Sequence, residues 1–115
     1  NMKKQTKKVK VYLFPVDVKI IKAASKQFQE KINKGIWDDE DTNNNPEAFD
    51  FVVNKEAQSL KGNHLYMMNF DRILAIYIVV SFSSLKNLTE QEQYMVERLK
   101  ALCKHYIDYL NKLNK

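Results

Sequence analysis

Cysteine and histidine are the residues of this chain best suited to nucleophilic or metal chemistry, and they are few. Cys103 is the one cysteine, and His64 and His105 are the two histidines. On a helix, side chains two positions apart do not face each other, so Cys103 and His105 cannot form a thiolate and its base. These spacings also lack the ligand set of a zinc site. We therefore expect no catalytic centre, no metal and no cofactor, and we expect the protein not to be an enzyme.

The acidic segment at residues 36–45 has a spacing that partly matches a calcium-binding loop. The oxygen-bearing side chains at positions 1, 3, 5, 7 and 12 of that pattern would be Asp39, Asp41, Asn43, Asn45 and Asp50. Asn44 stands where the pattern needs glycine, and the last position carries aspartate instead of a bidentate glutamate. We expect a solvated, mobile loop here, with calcium binding as the alternative.

Lysines are concentrated at the N-terminus. The chain has 19 basic and 14 acidic residues, a net charge of +5, and its first ten residues contain no acid. Such a segment suits a polyanion or an anionic membrane surface. The residues that could contact a polyanion are Lys3, Lys4, Lys7, Lys8, Lys10 and Tyr12. The rest of the chain has more lysine than arginine, and bidentate reading of guanine favours arginine. Any nucleic-acid binding should therefore depend on phosphate, and a solvated tail is the alternative interpretation.

Length and composition favour a single, mainly helical domain. The chain has 115 residues with two glycines and two prolines, too few for a turn-rich sandwich or barrel. We expect a basic arm at residues 1–7 and one domain at residues 8–115. The fold class is mainly α, or α+β with one short N-terminal strand and about four helices. A single cysteine, no apolar run of membrane-spanning length and no visible signal segment lead us to expect a cytoplasmic protein without a transmembrane segment.

The N-terminal half begins with a strand and continues with a helix. Residues 8–14 alternate in polarity with the period of a strand, which Pro15 ends because proline has no amide proton for a ladder. Asp17 is the expected N-cap of a helix over residues 18–34. Gly35 follows as the residue that ends this helix.

Two further helices are expected in the middle of the chain. Residues 46–61 predict a helix that opens with a proline and ends at Gly62, although 49–53 could instead be a short strand. Residues 70–85 are apolar on every side, which fits either a buried strand or a central helix capped by Asn69. Their length favours the helix. A helix that is apolar all round needs neighbours on all sides, and we expect a second subunit to supply some of them.

The last helix has the strongest sequence signals. Thr89 and Glu92 have the spacing of a capping box. Apolar residues then recur in 4-3-4-3-4 order, which is typical of a coiled-coil seam: Met95, Leu99, Leu102, Tyr106, Tyr109 and Leu113. This pattern predicts self-association of a homodimer or larger homo-oligomer through the last helix. The alternative is a terminal helix packed on its own domain.

The single expected strand suggests one functional interpretation. An isolated strand must satisfy its backbone amides somewhere, and a symmetric dimer can pair the strand with its own copy. A basic strand, a proline and two helices resemble the ribbon-helix-helix DNA-binding proteins. The resemblance implies a dimeric regulator in which Lys8, Lys10 and Tyr12 face the DNA major groove. The long acidic linker and the additional C-terminal half depart from that family.

Three later segments resemble the cell-division protein ZapA family. They are AASKQFQEKINK at residues 23–34, FDRILAIYIVV at 70–80 and VERLKALCKHYIDYLNK at 96–112. Asp71, Leu74 and Ala75 match that family best, whereas its Gly-Arg turn and second N-terminal strand are missing. The resemblance implies a non-catalytic homo-oligomeric scaffold that associates with a filament-forming division-ring protein. We take this scaffold as the leading expectation and DNA binding as the alternative.

Overall fold

A computed structural model describes residues 7–113. In chain order, the elements are β1 (Lys8–Leu13), α1 (Pro15–Asn33), α2 (Asp39–Asn44), α3 (Pro46–Val53), a 3₁₀ turn (Glu56–Ser59), β2 (His64–Asn69), α4 (Phe70–Ser81) and α5 (Glu90–Leu113). The chain is mainly helical with a small antiparallel sheet and a long last helix, which confirms the expected fold class.

The expectation of a single strand is wrong, because β1 pairs with a second strand of the same chain. β2 runs antiparallel to β1, with a register from Lys8 opposite Asn69 to Leu13 opposite His64. The sequence pattern of β2 does not indicate a strand, because only Met68 within it is fully buried and Leu65 and Met67 are exposed. A strand without apolar–polar alternation gives no period-two signal. The ribbon is thus formed within one chain and does not require a second copy.

α1 begins three residues earlier than expected. Pro15 occupies its first turn, where a missing amide proton costs nothing. Asp17 is therefore not the N-cap: it lies inside the first turn, and its carboxylate accepts a hydrogen bond of 2.9 Å from the backbone amide of Phe14. The predicted end is confirmed, since α1 stops at Asn33 and Gly35 follows in the left-handed region with φ of 73°.

The helix expected over residues 46–61 is interrupted. α3 ends at Val53, and Lys55 adopts a left-handed conformation with φ of 55° before the 3₁₀ turn begins. This kink brings Ala57 and Leu60 into the core, where each is 2% exposed. No glycine or proline marks the break, so the local sequence carried no stop signal at this point.

The loop expected over residues 36–45 is largely a short helix. The backbone amide of Asp41 donates to the Asp38 carboxylate at 2.9 Å, and the amide of Asp38 donates back to Asp41 at 3.2 Å. Adjacent acids are favourable here because the amides at a helix N-terminus carry partial positive charge. Asp41, one of the ligands in the alternative calcium interpretation, thus helps to start a helix, and the described residues of this segment form no cluster able to hold a metal ion.

α4 is the central helix of the core, as the length argument predicted. It is capped by Asn69, whose side chain accepts from the amide of Arg72 at 3.0 Å, and it ends at Ser81, short of residue 85. α4 packs against α1, α3 and α5 of the same chain. Ile73, Ile76 and Val79 are at most 2% exposed. The neighbours that we expected from a second subunit are therefore supplied within the chain.

The capping box at the start of α5 is confirmed. The amide of Glu92 donates to the Thr89 hydroxyl, and the amide of Thr89 donates to the Glu92 carboxylate, both at 3.0 Å. A hydrogen bond from Lys19, followed by one from the Thr89 amide, lowers the pKa of Glu92 from its ordinary value. The start of α5 is thereby tied to α1.

Candidate polyanion-binding face

The outward side of β1 carries the side chains that the sequence assigned to polyanion contact. Val9, Val11 and Leu13 point into the core, and Lys8, Lys10 and Tyr12 point outward, which confirms the strand period. Lys7 is also exposed. Lys3 and Lys4 lie outside the described residues.

β2 extends this surface with apolar side chains that sequence reasoning missed. Met67 lies opposite Lys10 in the register and Leu65 lies opposite Tyr12, so these pairs share one side of the ribbon. Their exposed fractions are 55% for Met67 and 51% for Leu65. Phe14 continues the alternation of β1. The ribbon face, as we call this surface, consists of Lys8, Lys10, Tyr12, Phe14, Leu65 and Met67.

Several contacts hold the ribbon face in position. The Tyr106 hydroxyl on α5 donates to the backbone oxygen of Lys10 at 3.1 Å. The rings of Tyr12 and Phe14 meet edge to face with centroids 5.1 Å apart. The guanidinium of Arg98 lies 5.5 Å from the centroid of the Phe14 ring. The face is therefore supported from below by the core and from the side by α5.

A groove of about 800 Å³ borders the ribbon face on the side of β2. Its lining includes Lys8 and four acidic residues from α3, the 3₁₀ turn and α4: Glu47, Asp50, Glu56 and Asp71. Glu56 is paired with Arg72 at 2.8 Å, and the Arg72 guanidinium lies 5.7 Å from the centroid of the Phe51 ring. Phosphate should avoid this groove, because like charges repel. In this acidic groove, as we call it, the carboxylates outnumber the cationic side chains of Lys8 and Arg72.

The residues expected to mediate self-association occupy three different environments on α5. Leu99 is 1% exposed and belongs to the core of its own chain, so the expectation that it faces a partner is wrong. Met95, Leu102 and Tyr106 are partly buried against that core. Tyr109 and Leu113 are exposed by 48% and 47%. The buried stripe of α5 is displaced from the predicted seam and consists of Leu99, Cys103, Ile107 and Leu110.

Cys103 and the two histidines lie apart from one another. Cys103 is buried in the core, and burial, with a smaller contribution from the charge of Asp17, raises the pKa of its thiol to about 12. A thiol that stays protonated is a poor nucleophile. His64 packs on Tyr66 and His105 on Tyr106, with ring centroids 4.4 Å and 5.5 Å apart. Within residues 7–113, no three His, Cys, Asp or Glu side chains are grouped closely enough to hold a metal ion.

Comparison of the chain with protein families, with curated proteins and with solved structures found no match. The resemblance to the ZapA family therefore stays a prediction. Among the helices in the described part of the chain, none combines the length and apolarity needed to cross a membrane.

Proposed function

We propose that this protein is a non-catalytic nucleic-acid-binding protein, and that the ribbon face contacts the phosphate backbone. The observation that carries the proposal is the common outward orientation of Lys8, Lys10 and Tyr12. Neither strand contributes an acidic residue to the ribbon. The lysines of the N-terminal segment, which include Lys3 and Lys4, would add contacts of the same kind.

Lysine supplies charge without the bidentate fork of arginine, so binding should be electrostatic with little preference among sequences. If five lysines each neutralise a phosphate, the logarithm of the binding constant should fall with the logarithm of salt concentration, with a slope of about −4 to −5 for a duplex and about −3.5 for a single strand. Because β1 and β2 belong to one chain, this contact does not require the intermolecular ribbon of the ribbon-helix-helix proteins.

The test is a salt titration of oligonucleotide binding by the protein and by Lys8→Gln/Lys10→Gln. Removal of two phosphate contacts should weaken binding at low salt and reduce the slope by about 2. The matched control is Lys22→Gln/Lys26→Gln, which removes the same charge from the exposed side of α1. Equal losses for the two double variants would show that net charge alone governs binding, and the proposal would then fail.

A second candidate function is the homo-oligomeric scaffold implied by the ZapA resemblance, with a filament-forming protein as partner. The observation that favours it is the apolar surface left on the predicted seam of α5, where Tyr109 and Leu113 are about half exposed. Met95, Leu102 and Tyr106 continue the same line toward the helix start. A second copy could cover this line without disturbing the core.

Light scattering at tens of micromolar protein tests this scaffold. Tyr109→Asp/Leu113→Asp should convert an oligomer to a monomer, because each copy would place two charges in the contact. Ala101→Asp/Asn111→Asp adds the same charge at exposed positions of α5 outside the seam and should leave the oligomer intact. A monomeric unmodified protein would exclude this function.

A further inference from the structure

We propose that the ribbon face binds single-stranded nucleic acid in preference to duplex, an inference that rests on the proposed function above. Along β1 and the extended residue that follows it, the outward side chains are Lys8, Lys10, Tyr12 and Phe14. Strand geometry separates successive members of this row by roughly 6.7 Å. The row thus places two cationic groups and two aromatic rings in line over about 20 Å.

The exposed rings are the feature that duplex binding does not use. Tyr12 is 42% exposed and Phe14 is 44% exposed. In a duplex the faces of the bases are covered by their neighbours, and the phosphates alone are presented to a flat protein surface. In a single strand the faces of the bases are free to stack on aromatic side chains. A row of two lysines followed by two aromatic rings therefore suits a single-stranded nucleic acid, because the lysines can contact its phosphates and the rings can stack on its bases.

The second strand supplies an apolar floor next to this row. Leu65 and Met67 lie beside Tyr12 and Lys10 and are each exposed by more than half. An unstacked base that leaves the ring of Tyr12 would meet these side chains and not water. The apolar contact contributes affinity with any base, because it does not depend on a donor and acceptor pattern.

The aromatic end of the row is held in place before any ligand arrives. Arg98 lies against the ring of Phe14, and its own guanidinium is fixed by Asp17 through two hydrogen bonds of 2.9 Å. A ring that is already fixed loses little conformational entropy on binding. At the opposite end of the row, the carboxylates of Glu47 and Asp50 in the acidic groove repel phosphate beyond Lys8. A bound strand should therefore follow β1 and not cross into the groove.

The experiment measures fluorescence anisotropy of a labelled 12-nucleotide oligothymidine and of a 12-base-pair duplex at one fixed salt concentration. The protein should bind the single strand more tightly than the duplex. Tyr12→Leu/Phe14→Leu keeps apolar volume on the strand but removes both rings. Binding of the single strand should weaken by about fivefold or more for each ring, and binding of the duplex should change by less than about twofold. Tyr12→Phe should retain single-strand affinity.

Two controls separate the rings from other causes. Tyr94→Leu removes an aromatic ring that is 68% exposed on α5, and it should leave both affinities unchanged. Polyglutamate, which carries charge without bases, should bind more weakly than the oligothymidine. This inference would be overturned if polyglutamate bound as tightly as the oligothymidine. It would also be overturned if duplex and single strand bound equally and neither affinity changed when the rings were removed. In the second case the proposed phosphate contact would stand if Lys8→Gln/Lys10→Gln still weakened binding. If Lys8→Gln/Lys10→Gln weakened binding of neither the single strand nor the duplex, both this inference and the proposed phosphate contact would be overturned.

Discussion

Asp17 is fully buried, and three hydrogen bonds from two groups compensate for its burial. Arg98 donates to both carboxylate oxygens at 2.9 Å, and the backbone amide of Phe14 donates to one of them. The pair joins α1 to α5 and also fixes the guanidinium that supports Phe14. One side chain of the core thus links the packing of two helices to the shape of the ribbon face.

Arg98→Ala should destabilise the fold by about 2–3 kcal/mol. The change leaves a buried carboxylate with one backbone donor, but the guanidinium side chain is 30% exposed, so the cost falls below the 3–5 kcal/mol of a fully buried pair. Urea unfolding measures the effect. Lys104→Ala breaks a pair in which both side chains are 56% exposed, and it should cost less than about 0.5 kcal/mol. Similar losses for the two variants would contradict this assignment.

Cys103 should make stability depend on pH in the alkaline range. Its thiol has an ordinary pKa of 9.0 in the unfolded chain, and burial raises that pKa to about 12 in the fold. Between these values the folded state holds the proton that the unfolded state has lost. The stabilisation is therefore complete below pH 9 and is lost as pH rises further, by up to about 1.4 kcal/mol per pH unit.

Unfolding free energies of the protein and of Cys103→Ala at pH 8, 9 and 10 test this dependence. All other ionisable groups are common to both proteins, so the difference between the two proteins isolates the thiol. That difference in unfolding free energy should stay nearly constant from pH 8 to 9. Above pH 9, the unmodified protein should lose stability relative to Cys103→Ala. A difference independent of pH would show that the thiol is accessible to ionisation in the fold.

At the scale of elements, the connection from the 3₁₀ turn to β2 passes very close to the start of α1. A Cβ atom on Gly62 would lie 2.7 Å from the Cα of Pro15, closer than packed atoms approach. Gly62 therefore serves as the crossing point of two segments, whereas the sequence pattern had assigned it to a helix end. The crossing sets where β2 enters the ribbon.

Gly62→Ala should lower the free energy of unfolding by about 1–3 kcal/mol, because backbone must move to admit the methyl group. Thermal unfolding followed by circular dichroism measures the loss. Gly35→Asn is the control, since nothing lies within 4 Å of that position and asparagine tolerates its positive φ. A larger loss at Gly35 than at Gly62 would show that the close approach does not limit the fold.

α2 should exchange its amide protons quickly although it is helical. It has six residues and none of them is buried, so its capping box is its main source of stability. Hydrogen exchange should therefore show little protection over Asp39–Asn44 and strong protection in the buried core of α4. Protection of α2 equal to that of α4 would contradict the expectation that this segment opens locally.

At the scale of the whole molecule, α5 covers the core of its own chain, and the same helix carries the predicted seam. Leu99 was expected in a subunit contact, yet it is 1% exposed within the chain. Leu99→Asp should therefore unfold the chain and not merely separate two subunits, because it buries an unpaired charge. Far-ultraviolet circular dichroism should show the loss of helix, whereas Tyr109→Asp should retain it. A folded monomeric Leu99→Asp variant would return Leu99 to the subunit contact.

The sequence predicted those features that depend on neighbouring residues. The outward row of β1, the caps at Asn69 and Thr89 and the helical state of α4 were all predicted from local spacing. The features that the sequence did not predict depend on contacts between residues far apart in the chain. β2 is stabilised by pairing with β1, and the break after Val53 is stabilised by burial of Leu60. Leu65 and Met67 are exposed because the sheet lies at the surface. Local propensity cannot report such contacts, because tertiary packing overrides it.

The pairing of β1 with β2 also dictates an order of events during synthesis. The two strands are separated by roughly fifty to sixty residues, and the Tyr106 contact to Lys10 spans 96 positions. During translation the N-terminal part emerges first, but β1 must wait for its partner, since long-range pairing requires closure of the intervening loop. Until residue 69 has left the ribosome, Val9, Val11 and Leu13 have no sheet to join. The surface proposed to bind nucleic acid is thus begun by β1, completed by β2 and supported by α5 only at the end of synthesis.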